Sequence, residues 1–230
     1  MKLLSIIVTV VALGALGVGG TLAVFSDVET STGNTFTAGT LNLVNTVSGT
    51  GPSGKFVVTA GGDGINGNVV FGGDAVKLKP GESGSITWSL QNTGTVPGTL
   101  TILASLTSSE NGKNEPELAA AGDVADPAGE LDLYMGVKLT RDGTFLVGTA
   151  GNYGTWSALV TALNAESRAM AGGAATPVYV LSWDLALNLK SAGADNLFGT
   201  VDVPPEVDVD DNVIQSDSLL LDITFTLTQS

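Results

Sequence analysis

Carboxylates dominate the reactive chemistry of this chain, with 23 Asp and Glu against nine Lys and Arg and neither His nor Cys. Their densest run is Asp202 to Asp211, where Asp202, Glu206, Asp208, Asp210 and Asp211 fall within ten residues. Like charges so close repel unless water or a hard cation lies between them, and calcium is the cation that oxygen ligands favour. Asp208, Asp210 and Asp211 are the candidate calcium ligands. The run departs from an EF-hand loop: it lacks the central glycine, and Leu219 stands at the twelfth position from Asp208, where a bidentate Glu belongs. A solvated acidic loop is the preferred reading, with calcium as the alternative and no other cofactor expected. Gly61 to Asn68 has a faint likeness to a calcium-binding nonapeptide repeat, but a single copy cannot build stacked sites, so we expect a turn-rich loop there.

Without His or Cys the chain has no Ser-His-Asp or Cys-His machinery, no HExxH zinc site and no disulfide. We expect no enzyme. A carboxylate pair acting as glycosidase acid and base could be drawn from any of the 23, so the idea singles out nothing. Few aromatics are available to stack sugar rings, and Trp88, Trp156 and Trp183 read as core. Lys138 beside Asp132, or Lys190, could form a cross-strand amide, though ordinary surface lysines are expected. The formal charge of −14 repels phosphate backbones and anionic headgroups, which excludes nucleic acid as a partner.

The elements that must position these residues are strands. Ile86, Trp88 and Leu90 alternate with Ser85, Thr87, Ser89 and Gln91, one face core and one wet. Leu219, Leu221, Ile223, Phe225 and Leu227 alternate in the same way in the terminal segment with Asp222, Thr224 and Thr226, although Leu220 interrupts the polar face at its start. Leu41 to Val47, Lys55 to Thr59, Thr99 to Leu106, Leu131 to Leu139, Thr144 to Val147 and Val178 to Leu187 are further strand candidates. Arg141-Asp142-Gly143 reads as a hairpin turn, and Pro80-Gly81, Asn92-Thr93-Gly94 and Pro97-Gly98 as further turns. Helix is expected only at Thr155 to Met170 and at Pro116 to Ala121. The class is mainly β: a jelly-roll-like two-sheet sandwich with one or two short helical insertions.

Lys2 precedes the apolar run LLSIIVTVVALGAL, which ends in Gly17, Gly19 and Gly20 and then Thr21-Leu22-Ala23. One positive charge, an apolar stretch and a small residue at the exit make a secretory signal, so residues 1–23 are expected to be cleaved and 24–230 secreted. Membrane contact is then limited to the leader before cleavage. In residues 24–37 the even positions Val24, Val28, Thr30 and Phe36 form a comparatively apolar face, with Asp27 and Glu29 opposite. From Leu41 the apolar residues are odd. The parity switches at Ala38-Gly39, separating a detachable arm, residues 24–37, from a single domain, residues 38–230.

Two segments carry a family resemblance. Gly19-Gly20-Thr21-Leu22-Ala23-Val24-Phe25-Ser26-Asp27, with Thr35-Phe36-Thr37-Ala38-Gly39-Thr40-Leu41-Asn42-Leu43, resembles the leader junction and first strand of the TasA/camelysin family of secreted biofilm-fibre proteins, archaeal bundling pilins included. Leu78-Lys79-Pro80-Gly81-Glu82, the strand to Leu90 and Asn92-Thr93-Gly94-Thr95 are similar to that family's Pro-Gly turn, alternating strand and N-x-G exit. The resemblance implies an exported jelly-roll subunit that polymerises with copies of itself into extracellular filaments, the N-terminal strand of one subunit completing the sheet of the next. It also implies the metallopeptidase label attached to camelysin, which a chain without His does not support. A monomeric cell-surface adhesive or binding module is the alternative, and an extracellular peptidase a distant third.

Overall fold

The computed structural model describes residues 39–51, 56–60, 67–72, 78–110, 129–193, 195–199, 208–214 and 216–229, all within one compact unit that runs from Gly39 to Ser230. The expected donor positions Val24, Val28, Thr30 and Phe36, the leader, and the helix at Pro116 to Ala121 lie outside the described residues. Alternating sequences do become strands: β1 (Leu43–Thr50), β2 (Phe56–Ala60), β3 (Gly67–Gly72), β4 (Ser83–Asn92) and β5 (Gly98–Glu110) precede a single helical turn, α1 (Leu131–Tyr134). After it come β6 (Met135–Arg141), β7 (Thr144–Val147), β8 (Tyr153–Gly154), α2 (Trp156–Asn164), β9 (Ser167–Met170), β10 (Ala175–Leu185), β11 (Leu197–Phe198), a 3₁₀ turn at Asp211–Ile214 and β12 (Asp217–Gln229).

The strands form two sheets in which every pairing is antiparallel. The seven-stranded sheet has the order β1-β4-β10-β6-β8-β11, with β7 against β6, and the five-stranded sheet the order β2-β3-β12-β5-β9. Ile86, Trp88 and Leu90 face inward from one sheet, and Leu219, Leu221, Ile223 and Phe225 from the other, in the phase the sequence dictates. Their rings meet between the layers. Phe71 stands edge-on to Trp156 at 5.4 Å and to Trp183 at 5.5 Å between ring centres, and Trp88 meets Phe225 at 6.5 Å. All three tryptophans are buried, as core residues rather than ligand platforms. Edge-on pairs of this kind contribute roughly 0.5–1.5 kcal/mol beyond area burial.

The Arg141-Asp142-Gly143 hairpin forms with φ of 50° at Asp142 and 82° at Gly143, the left-handed pair that a two-residue connection requires. Three sequence expectations change. Leu131 to Leu139 is not one strand: Leu133 N–H donates to the Glu130 carbonyl, and one helical turn buries both Leu131 and Tyr134 before β6 begins. The helix expected from Thr155 to Met170 starts on its cap, with the Thr155 hydroxyl accepting from Ala158 N–H at 3.3 Å, but ends at Asn164. There the Asn164 carboxamide bonds both the N–H and the carbonyl of Ala104, at 2.7 and 3.0 Å, in place of a strand peptide. Ser167 to Met170 then continue along the same edge of β5 as β9. Tertiary pairing overrides helical periodicity here. Gly67 and Asn68, expected in a loop, open β3. Among the described residues no helix is long and apolar enough to cross a membrane.

Candidate functional site

β12 is paired unequally on its two sides. From Asp217 to Gln229 it is matched residue by residue with β5, whereas β3 covers only Ser218 to Leu221. Successive residues of an antiparallel strand turn their N–H and C=O groups to opposite sides. Ile223 N–H donates to the Asn68 side-chain oxygen at 3.0 Å on the β3 side, so the backbone groups of Phe225 and Leu227 face that side too. Beyond Asn68 no described strand pairs with them. Among the described residues β1 likewise has a partner, β4, along one side alone. The two open edges flank a groove of about 470 Å³ lined by Leu41 to Val44 and by Thr224 to Leu227.

The start of the described chain is fixed beside this groove. The N–H groups of Thr95 and Val96 donate to the Thr40 carbonyl at 2.8 and 3.1 Å, and Thr93 N–H to the Asn42 carbonyl at 2.8 Å. Thr40 N–H in turn donates to the Thr95 hydroxyl at 2.9 Å. The approach is so close that a Cβ on Gly94 would lie 2.2 Å from the Thr40 carbonyl oxygen, which explains the glycine in the Asn92-Thr93-Gly94 turn. Fully buried Asn92 organises that turn, its amide donating to the Val96 carbonyl at 2.9 Å while its oxygen accepts from Gly94 N–H at 3.0 Å. Asn92→Ala strands both partners, and we expect it to cost about 1–3 kcal/mol in urea unfolding, with the first strand the earliest to lose amide-exchange protection. A loss below about 0.5 kcal/mol would show that the turn holds without its amide.

Each candidate calcium ligand has partners of its own. Asp208 pairs with Lys190 at 3.7 Å, Asp210 accepts from the backbone N–H and side-chain amide of Asn212, and Asp211 accepts from Leu189 N–H at 3.0 Å. Their carboxylates cap the 3₁₀ turn and tie it to the segment after β10. Among the described residues no three acidic side chains are grouped so as to hold a metal ion. Lys138, a candidate for a cross-strand amide, donates its amine to the Ala150 carbonyl at 3.1 Å and lies 4.1 Å over the Tyr153 ring.

Two features escaped the sequence reading. Glu110, Glu130 and Asp217 are all buried at one end of the five-stranded sheet, where Asp217 stands opposite Glu110 and accepts from Glu130 N–H. Burial, with the charges of Glu130 and Asp217, pushes the nearby Tyr134 hydroxyl above its ordinary range. Acids in such segments look like surface residues in sequence, and only their tertiary position reverses that. The second is Glu166, which accepts two hydrogen bonds from Arg141, at 2.8 and 2.9 Å, and one from the Tyr179 hydroxyl at 2.8 Å, joining the end of β6 to the start of β9. Burial and the Glu166 carboxylate both raise the Tyr179 hydroxyl far above its ordinary range.

Comparison with known proteins returned no match to this chain among family models, curated proteins or solved structures.

Proposed function

We propose that this chain is the structural subunit of an extracellular filament or bundling pilus, a jelly-roll domain that polymerises by donating residues 24–37 to the half-open sheet of the next copy. The observation that carries the reading is the unequal pairing of β12: it buries Phe225, yet no described strand pairs with the backbone groups of Phe225 and Leu227 on the groove side, which leaves room among the described residues for one more strand. The apolar parity of Val24, Val28, Thr30 and Phe36 supplies a strand whose inward face carries no charge. The backbone bonds that hold Thr40 and Asn42 beside the same groove give the arm a fixed root. Export rests on the leader, with cleavage after Ala23.

Negative-stain microscopy of the extracellular protein tests the proposal, with intact mass run on the same material. Long fibres built from a chain starting between Val24 and Asp27 are expected. Dispersed particles at every protein and salt concentration would instead favour the monomeric surface module.

A further inference from the structure

The outer face of the seven-stranded sheet holds a pocket of about 370 Å³ that shares no lining residue with the groove beside β12. Asp184 on β10 stands in register with Gly136 on β6. Because Gly136 has no side chain, the Tyr153 side chain settles onto the sheet: a Cβ at 136 would lie 2.6 Å from Tyr153 Cβ and 3.3 Å from the Phe198 ring. Tyr153 and Phe198 are cross-strand partners in β8 and β11, and both line the pocket together with Asp184. Asn188 and Lys190, from the segment after β10, complete the lining.

The charges at this pocket are balanced. Lys138 sits over the Tyr153 ring and draws the Asp184 carboxyl downward, while the larger effect of burial pushes it above the ordinary carboxylate range. Lys190 is paired with Asp208. A chain of −14 therefore presents a nearly neutral pocket here. Neutrality disfavours an ionic ligand, and a lining of two aromatic residues with an acceptor, an amide and an amine suits a ligand with an apolar face and a hydroxyl-bearing edge. The volume falls within the range of about 300–1,000 Å³ typical of small-ligand sites.

We propose that Tyr153, Phe198, Asp184 and Asn188 bind one neutral sugar residue, the pyranose ring against the two aromatic residues and its hydroxyls on Asp184 and Asn188. The site stands apart from the assembly reading, so either can fail alone. The full chain is tested for retention on a panel of immobilised neutral oligosaccharides ending in glucose, galactose, mannose or N-acetylhexosamine. Retention by at least one, competed by the same free sugar and unaffected by added salt, is the expected result. Asp184→Asn and Asn188→Ala, both at solvent-accessible positions, should each weaken it about tenfold, and Leu103→Ala on the other sheet should not. No retention across the panel, retention abolished by salt, or retention unchanged in both pocket variants would overturn the assignment.

Discussion

Removal of Phe25 to Thr37 should leave a folded domain that forms no fibres at any concentration reached in vitro. Each ladder hydrogen bond contributes only about 0.5–1.5 kcal/mol net, so a strand-exchange joint depends on side-chain burial. Val28 and Phe36 would each add roughly 1.5–3 kcal/mol when buried, and every 1.4 kcal/mol is tenfold in an association constant. Replacing both by Asp should therefore raise the critical concentration by about a hundredfold or more.

The acceptor side allows a sharper test, because β12 alternates. Leu227 turns its N–H toward the groove, whereas Thr226 turns its own toward β5. Proline is tolerated where an N–H has no strand partner. Leu227→Pro should thus fold as a monomer yet fail to assemble, while Thr226→Pro should lose a rung to β5 and weaken the fold itself. The readouts are sedimentation and microscopy for assembly, and urea unfolding for the domain. Fibres of unchanged subunit repeat from either the armless chain or Leu227→Pro would rule out strand donation into this groove.

The largest expected loss of stability comes from Phe71→Ala. Phe71 is fully buried, stands opposite Leu219 on β12 and wedges its ring between Trp156 and Trp183. It thus joins β3, α2 and β10 at one point. Truncating a buried Phe costs about 3–5 kcal/mol, a large part of the roughly 5–15 kcal/mol that holds most domains folded. Urea unfolding followed by tryptophan fluorescence would measure it, with Leu103→Ala, at 68% exposed, expected to change stability by less than about 0.5 kcal/mol. A loss below about 1 kcal/mol at Phe71 would mean that the two tryptophans close over the cavity.

Much of the fold follows from local pattern. Alternation in Ser85 to Asn92 and, apart from Leu220, in Leu219 to Leu227 determined both the strands and their inward faces, since a period of two permits a single choice of side when one face must be dry. Asp142-Gly143 likewise determined its hairpin through the positive φ that both residues adopt. The absence of His and Cys removed whole classes of chemistry without reference to shape. Tertiary structure decided matters of pairing between distant segments. Asn164 ends its helix because its amide completes the edge of β5 sixty residues away, and Leu131 coils because the sandwich offers it a buried seat. Asp208, Asp210 and Asp211 read in sequence as a solvated acidic run, and only the fold gives each its neighbour: Lys190, Asn212 and the Leu189 N–H. The candidate assembly groove depends on the same physics. No property of Thr224 to Leu227 taken alone reveals that no described strand pairs with their groove side, because an open edge is defined by a partner's length and register, and both are set only when the two sheets pack.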